Sequence, residues 1–552
     1  MSFGSHSAVQ SPSVLKSQLA SVIGATLLGF KANESGSVHQ TIFDKVSNVL
    51  GAQDFGVVGG GIVDDSDALI DFFTAGMTTG KKMLINAGTY KVTKQIISTV
   101  SLVTLNIEAV GGLAIFEYSG TEIGNLIQAT NCDHAYVKGL RFSCNNLIAT
   151  PIDIRRLTAS VGGVATIEGV EAYDCKQVGA VTTNPTGILV GGSFSYIIVD
   201  GCLVDNVTHT DIARSSTGIA VIDVEGTAQV TNNTVGGILT PSTIDADGIK
   251  VFGKDSGTIT TELKGVAAVY GNKITDCEGR FIKVQLSNIE IHGNKLKLSD
   301  SFSTITEWRA FDIQSNNGNI HDNTLKFGAL ITWGANATIF TLQNIRDDSF
   351  NKTSFAVNNR ITTKTAGISL LASLLAEHGK NTFVVEGNEV LGETIKRGFQ
   401  IRVTGGATGA DLTRVYYRNN TVEDYSSQDM FNPYDQVDFA EKMYLELVDN
   451  RVINRASVSR THGSLSGFQL DQFKIANNVN SSNRIDWPFD MDDLPGGNAF
   501  TVGSQTITNK GAGMTTYFHV ITDNFVQRNL STNCATEVKR GSLDGTTWYA
   551  WV

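Results

Sequence analysis

The chain has little proline, few cysteines and no excess of positive charge. Its 552 residues include 7 prolines against 56 glycines, so most backbone N–H groups can join hydrogen-bonded ladders while tight corners remain possible. The 6 cysteines are scattered without a C-x-x-C pair, which predicts free buried thiols, no disulfide framework and no zinc site. The net charge of −11 argues against nucleic acid or an anionic membrane as the main partner.

Long apolar runs are also missing. No stretch approaches the roughly 20 apolar residues of a membrane-spanning helix, so no membrane insertion is expected. Residues 14–30 are moderately apolar but lack the basic flank and the A-x-A site of a signal peptide. At 59.1 kDa the chain is too long for one ordinary compact domain, and its length suits a solenoid.

A short phrase returns about a dozen times, roughly every 31 residues. It consists of an apolar residue, any residue, Gly or Asn, then Asn, any residue and an aliphatic residue. A nearly constant period of this size is typical of stacked repeats. The clear copies centre on Asn233, Asn272, Asn294, Asn323, Asn359, Asn388, Asn420, Asn450 and Asn478, and Leu140, Val170 and Cys202 keep the frame without the Asn.

Each repeat has the composition of short strands joined by turns. Val, Ile and Thr alternate with polar residues at period two, and Asn, Gly, Asp or Ser recurs every 8–12 residues. Three short strands and three turns per coil predict an all-β, right-handed parallel β-helix of about 12 coils. The repeated Asn would tolerate left-handed backbone geometry and hydrogen-bond to the coils above and below. A β-sandwich array with coincidental spacing is the alternative.

A second strand series recurs with the same period. The pentapeptides "TGILV", "TGIAV", "DGIKV" and "RFIKV" begin near residues 186, 217, 247 and 280, and coils stacked about 4.8 Å apart would align them in one sheet. The predicted inward column is Ile188, Ile219, Ile249 and Ile282. The predicted outward column is Leu189, Ala220, Lys250, Lys283 and Asp312.

Composition divides the chain into four segments. Residues 1–50 form a Ser- and Ala-rich neck, and residues 51–95 a capping region with a short helix that Asp65 or Ser66 caps. Such a helix would shield the open end of the solenoid. Residues 96–490 form the β-helix, and residues 491–552 break the period and form a small β-domain.

The sequence "DFGVVGGGIVDDSDA" at residues 54–68 resembles the D-F-G-A-x-G-D-G-x-x-D-D-T-x-A opening of pectate-lyase-like β-helices. Polygalacturonase-type hydrolases and bacteriophage tailspikes share that opening. Gly60 and Ser66 depart from it, where the family has Asp and Thr. The segment before the motif and the ending "GSLDGTTWYAWV" resemble phage tail proteins, which favours a tailspike over a secreted pectinase.

This resemblance implies a parallel homotrimer in the virion, assembled in the host cytoplasm. The N-terminal segment would attach to the phage tail, its baseplate or another tailspike, and the C-terminal domain would serve trimerisation or carbohydrate binding. Tailspikes bind and usually cleave bacterial surface polysaccharide, either capsule or O-antigen. The expected activity is that of an endo-acting glycoside hydrolase, a polysaccharide depolymerase, with no cofactor and no metal.

Glycosidic hydrolysis needs two carboxyl groups that flank the bond, and acids one or two coils apart offer this spacing. "STIDADGIKV" resembles the N-T-D-G element of polygalacturonase-type enzymes, with Asp247 in the place of the catalytic Asp and Asp245 in the place of Asn. The predicted catalytic residues are Asp245, Asp247, Glu278, Glu307 and Asp312. The predicted substrate-binding residues are Lys250, Arg280, Lys283, Trp308 and Arg309.

Alternatives remain at each position. An Asp before Gly is a common turn element, and the cations can pair with the nearby acids instead of with a sugar. A polysaccharide lyase on the same fold would need a uronic acid and use Lys250, Arg280 or Tyr434 as its base. A non-catalytic adhesin would bind the polysaccharide without cleaving it.

Overall fold

The computed structural model describes most of the chain between Ser47 and Ile453, and a series of strands outside it. The described residues are 29–30, 40–41, 47–98, 103–121, 123–177, 184–209, 215–240, 246–254, 264–300, 304–305, 308–329, 331–333, 337–344, 352–364, 367–377, 380–392, 395–404, 412–423, 425–433, 442–453, 469–476, 478–480, 483–485, 499–502, 505–508, 514–521, 524–531 and 537–542.

One long sheet contains twelve parallel strands, each hydrogen-bonded to the next one in the chain. They are β1 (Ile96–Ser98), β2 (Ile123–Ala129), β3 (Ile148–Arg156), β4 (Thr186–Gly192), β5 (Ser216–Val224), β6 (Ala246–Gly253), β7 (Arg280–Gln285), β8 (Arg309–Gln314), β9 (Thr338–Asn344), β10 (Ile368–Glu377), β11 (Ile395–Thr404) and β12 (Tyr425–Pro433).

The second sheet has 28 strands, and 27 of them form two parallel stacks, so that each full coil contributes three strands to the solenoid. The first stack contains Val49–Gly51, Lys82–Val92, Val103–Tyr118, Cys132–Lys138, Gly162–Glu168, Phe194–Asp200, Thr227–Thr231, Val266–Tyr270, Asn288–His292, Asn317–His321, Lys352–Val357, Asn381–Glu386, Leu412–Arg418, Lys442–Val448 and Gln469–Ala476. The second contains Leu140–Ser143, Glu171–Gln177, Leu203–His209, Thr234–Ile238, Lys273–Cys277, Lys295–Leu298, Thr324–Phe327, Arg360–Thr363, Glu389–Gly392, Thr421–Val422, Arg451–Val452 and Asn478–Asn480, with Asn483–Ile485 antiparallel to the last.

The described coils form an all-β parallel β-solenoid, which confirms the predicted fold class, and they make about ten turns where about 12 coils were predicted. The boundaries of the four predicted segments stay predictions. The remaining described strands form short or antiparallel pairs. These strands are Gly29–Phe30 with Gln40–Thr41, Thr304–Ile305 with Thr332–Trp333, Ala499–Val502 with Gln505–Thr508, and the three-stranded sheet Met514–Ile521, Asn524–Ser531 and Glu537–Ser542.

The predicted helix, α1 (Ser66–Thr79), follows a single 3-10 turn at Ala52–Phe55. Phe73 of α1 is fully buried and packs edge-on against Phe116 of the first stack, with ring centroids 6.4 Å apart. Asp65 occupies the N-cap position, but its carboxylate accepts hydrogen bonds from the backbone N–H groups of Val58 and Gly59, at 2.7 and 3.1 Å. The Asp65 carboxylate therefore stabilises the glycine loop that precedes the helix.

The core consists of side-chain columns that follow the predicted register. Ile188, Ile219, Ile249 and Ile282 pair in sequence across β4 to β7, and all four are fully buried. The predicted outward column pairs in the same way from Leu189 to Asp312. Both column predictions are therefore confirmed in register.

The repeated asparagines form a continuous buried ladder. Each side-chain Nδ2 donates to the Oδ1 of the next member, at 2.9 to 3.1 Å. The left-handed residue, however, is the one before each ladder member, such as Asn232, Gly271 or Asp322, with φ of 56°, 68° and 54°. The ladder consists of Asn233, Asn272, Asn294, Asn323, Asn359, Asn388, Asn420 and Asn450.

Candidate functional site

The outer face of the long sheet differs between its two halves. On β4 and β5, the outward residues Leu189 and Ala220 are 9% and 4% exposed. From β7 onward the same face is an open groove of about 640 Å³. It crosses the five strands β7 to β11, a length of about 19 Å at 4.8 Å per coil. The predicted outward column thus enters the groove at Lys283, although Asp312 and Thr341 of the same column are only 2% and 6% exposed.

Two parallel columns form the floor of this groove, and polar side chains dominate both. One column consists of Lys283, Asp312, Thr341, Ser373 and Gln400. The other consists of Gln285, Gln314, Gln343, Leu375 and Arg402. Hydroxyl and amide groups combine donors with acceptors, and guanidinium groups add further donors, so all three are usual partners of hydroxylated ligands.

Arg280 connects the two predicted carboxylates on this face. Its Nη1 lies 3.1 Å from Oδ1 of Asp247, and its Nε lies 2.7 Å from Oδ2 of Asp312. Asp312 also accepts from Nη1 of Arg309 at 2.8 Å and from Nε2 of Gln343 at 2.7 Å. Both carboxylates are buried, and such buried charges persist only when they are paired. The carboxylates therefore fix the positions of the two guanidinium groups.

Asp247 is fully buried on β6, one coil before the groove, and its Oδ2 has no hydrogen-bond partner among the described residues. Nζ of Lys250 lies 3.9 Å from that oxygen. The ammonium groups of Lys250 and Lys283 lie 4.6 and 5.2 Å from the ring centroid of Phe252. Both distances fall within the range of cation–π contacts, so the Phe252 ring attracts both ammonium groups at the β7 end of the groove.

Glu278 lies at the corner that leads into β7 and outside the described lining of the groove. Its Oε2 accepts a hydrogen bond from the backbone N–H of Thr240 at 2.5 Å. Burial raises the pKa of this carboxyl, and a raised pKa is what a proton donor requires.

Trp308 is 1% exposed and belongs to a buried aromatic cluster. Its ring centroid lies 5.5, 5.2 and 5.1 Å from those of Phe281, Phe327 and Trp333. Because these rings cover the indole, Trp308 offers no stacking surface to a sugar in this arrangement. The sequence-based expectation of a stacking platform is thus replaced by a structural role at the corner before β8.

The structure brings Asp247, Arg280, Arg309 and Asp312 together, whereas Asp245, Glu307 and Tyr434 lie outside the described residues. Sequence reasoning missed the amide column at the end of the groove strands. A signal for it exists, since "RFIKVQ", "RAFDIQ" and "TIFTLQ" each end in Gln at the same register position.

No protein-family model and no curated protein matches the chain. Three solved structures are similar to it at low identity. A tailspike protein mutant of E. coli bacteriophage HK620 in complex with a hexasaccharide is 12% identical, with 95% of this chain and 91% of that chain covered and a TM-score of 0.43. The Agl-KA catalytic domain is 14% identical over 72% and 68%, with a TM-score of 0.40. The Dettilon tailspike protein is 11% identical over 91% and 79%, with a TM-score of 0.32.

Proposed function

We propose that the protein is a phage tailspike that binds a bacterial surface polysaccharide, capsule or O-antigen, in the groove across β7 to β11. We propose further that it depolymerises this polysaccharide by endo-acting hydrolysis. The observation that carries the proposal is the groove itself, which is long, open and lined by hydroxyl, amide and guanidinium groups. The resemblance of residues 54–68 to tailspike openings supports the same function.

The groove runs along the stacking direction of the coils. An internal stretch of a linear polymer can therefore bind in it, and no chain end is needed. Its volume of about 640 Å³ falls within the range of known small-ligand sites. Its side chains are held in place by each other, for example by the hydrogen bond from Gln314 Nε2 to Gln343 Oε1 at 3.2 Å. Such fixed donors and acceptors lower the ordering cost of binding a flexible chain.

Hydrolysis requires one carboxyl group that protonates the glycosidic oxygen and a second that activates water or attacks the sugar. Asp312 is the carboxylate in the described lining of the groove, and it is proposed as the basic or nucleophilic member. Glu278, with its raised pKa, and Glu307 are the candidates for the acid. Asp247 and Asp245 complete the proposed set.

Two other functions on this fold have specific support. The concentration of Arg280, Lys283 and Arg309 at one end of the groove favours a lyase, which needs cations beside a uronate. The engagement of both oxygens of Asp312 by Arg280, Arg309 and Gln343 favours an adhesin, because these donors occupy the oxygens that would react.

The test is incubation of the full-length protein with purified capsules and O-antigens from a panel of strains. Mass spectrometry should show fragments that carry one added water, together with new reducing ends. Fragments with an unsaturated terminal sugar and ultraviolet absorbance would establish the lyase instead. Binding without any fragments would establish the adhesin.

The residue assignment is tested by Asp312→Asn. The expected loss in kcat is about 100-fold or more, the usual scale for removing a carboxyl group that takes part in proton transfer. Asp449→Asn is the matched control, since Asp449 is exposed at a left-handed corner of the other sheet, a geometry that Asn tolerates. Equal rates for both variants would remove Asp312 from the mechanism. We also propose that the protein forms a homotrimer and attaches to the phage tail through its N-terminal segment.

A further inference from the structure

We propose that Cys144 and Cys175 form a site of oxidative modification, at which a small disulfide such as oxidised glutathione joins the two thiols across neighbouring coils. Both residues are buried in coils that precede the groove, so this chemistry is independent of the proposed polysaccharide function. The sulfur contact, the backbone around it and the different surroundings of the other described cysteines support the assignment.

The two sulfurs are already in contact. Sγ of Cys144 lies 3.6 Å from Sγ of Cys175, and both side chains are fully buried. An S–S bond is about 2.05 Å long, so the sulfurs need to approach by only about 1.6 Å. The residues lie 31 positions apart, which is one coil. Neighbouring coils are about 4.8 Å apart, within the range of about 4.4–6.8 Å between Cα atoms that a disulfide spans.

Backbone hydrogen bonds beside the sulfur contact hold the two segments together. The N–H of Cys144 donates to the carbonyl of Tyr173 at 3.0 Å, and the N–H of Asn146 donates to the carbonyl of Asp174 at 2.9 Å. Asn146 and Asp174 have left-handed backbone geometry, with φ of 61° and 56°, so each cysteine lies within two residues of a tight corner. Because the main chain is fixed around the thiols, the disulfide can close mainly by rotation of the two side chains.

The other described cysteines have a different kind of partner. Sγ of Cys132 donates to the carbonyl of His134 at 3.0 Å. The Sγ atoms of Cys202 and Cys277 also donate to backbone carbonyls, at 3.4 and 2.8 Å. A carbonyl group offers no sulfur for exchange. Within the part of the chain that the structure describes, this comparison leaves the contacting pair as the one that can form a disulfide.

Two successive thiol–disulfide exchanges form the bond. The thiolate of one cysteine attacks a sulfur of oxidised glutathione, which gives a mixed disulfide and releases one glutathione thiolate. The thiolate of the other cysteine attacks the protein sulfur of the mixed disulfide and releases the second glutathione thiolate. Both protein thiols are thereby oxidised and lose their protons, and oxidised glutathione is reduced to two glutathione molecules that take up those protons.

Burial determines when this chemistry takes place. Burial and the neighbouring thiol of Cys175 raise the pKa of Cys144 well above its usual value, so the folded protein contains little of the reactive thiolate. Glutathione is also too large to reach a fully buried contact, so the exchange occurs before the coils close over the thiols. A chain that folds in a reducing cytosol keeps both thiols, whereas a chain that folds in an oxidising medium acquires the disulfide.

The experiment produces the full-length protein by cell-free translation in two glutathione buffers, one with the oxidised form in excess and one with the reduced form. The soluble, folded fraction is denatured with N-ethylmaleimide to trap free thiols and is digested with trypsin without a reductant. Trypsin releases Cys144 in the peptide 142–155 and Cys175 in the peptide 157–176. Mass spectrometry should show these peptides joined, with the loss of two hydrogens, in the oxidised sample. In the reduced sample each should carry one N-ethylmaleimide group.

Stability measurements connect the cross-link to the solenoid. The disulfide closes a loop of 31 residues, which should lower the unfolding equilibrium constant about 100-fold relative to the reduced protein in guanidinium denaturation. Cys175→Ala should abolish both the joined peptides and the difference between the buffers. Cys132→Ala is the matched control, since Cys132 is equally buried and its thiol donates to a carbonyl, and it should leave both effects unchanged.

The wild-type peptides decide the question even where a variant fails to fold. Joined peptides 142–155 and 157–176 in the folded protein would establish the site. Separate, alkylated peptides from folded protein made in the oxidising buffer would overturn it, and so would equal joining of Cys132 to either cysteine. Folding in the reducing buffer alone, or a lower stability of the oxidised protein, would contradict the fit of the disulfide to the fold. None of these results depends on whether a polysaccharide binds.

Discussion

Replacement of one ladder asparagine should destabilise the solenoid far more than replacement of a surface asparagine one strand away. Asn323 is buried at the centre of the ladder. Its Nδ2 donates to the carbonyls of Ile291 and His321 and to Oδ1 of Asn359, at 3.1, 2.9 and 2.9 Å. Its Oδ1 accepts from the backbone N–H and from Nδ2 of Asn294, at 3.0 and 2.9 Å.

The magnitude follows from the groups that Asn323→Ala leaves behind. The backbone N–H of Asn294 and Oδ1 of Asn359 both lose a partner inside the protein, although the backbone N–H of residue 323 still reaches that oxygen at 3.1 Å. A buried donor without an acceptor costs about 1–3 kcal/mol, and the vacated volume adds to it. The expected loss in the free energy of unfolding is therefore about 2–5 kcal/mol.

The assay is guanidinium denaturation followed by circular dichroism, with refolding checked at each concentration. Asn317→Ala is the matched control, because Asn317 is exposed and donates to Oδ1 of Asn288 at 2.9 Å on the surface. Its effect should stay within about 0.5 kcal/mol. If refolding is incomplete, the unfolding rates of the two variants replace the equilibrium values. Equal stability of the two variants would refute the view that the ladder stabilises the corner.

Two further predictions concern titratable groups. Burial lowers the pKa of His321, but its hydrogen bonds to Asp322 and Glu290 outweigh this and raise the pKa above its usual value. His321 should therefore stabilise the fold below about pH 6.5 and lose this contribution as the pH rises through the raised pKa, and His321→Gln should flatten that part of a plot of melting temperature against pH. Burial raises the pKa of Cys132 to about 11 and that of Cys202 to about 12, so a thiol reagent at pH 8 should modify these cysteines after denaturation and not before. Rapid labelling of the native protein at either cysteine would contradict the described packing.

The register of the coils was predictable because local patterns determine it. Alternation at period two assigns each residue of a short strand to one face, and an Asn at a fixed corner aligns successive coils. The spacing of "DGIKV" therefore predicted correctly which column contains Ile249 and which contains Lys250. Which corner residue has left-handed backbone geometry was harder to predict from the sequence. Asn, Gly and Asp all tolerate this geometry, and two of them stand side by side at most corners.

Whether an outward side chain is buried or exposed was not predictable. Alternation along a strand predicts which face of the sheet a side chain is on, but not which other residues cover that face. Ala220 and Lys283 share one column, yet Ala220 is buried and Lys283 lines the groove. Trp308 shows the same limit, because its burial depends on Phe327 and Trp333 from the following coil. The shared pairing of Asp247 and Asp312 with Arg280 likewise depends on side-chain directions across three strands.

The asparagine ladder keeps the coils aligned whatever the number of residues in each coil. Successive members lie 39, 22, 29, 36, 29, 32 and 30 residues apart, yet the side-chain contact from one to the next stays the same. Insertions and deletions elsewhere in a coil can thus accumulate without shifting the strands that form the groove. Evolution could therefore exchange the segments between ladder positions while the framework of the solenoid stays constant.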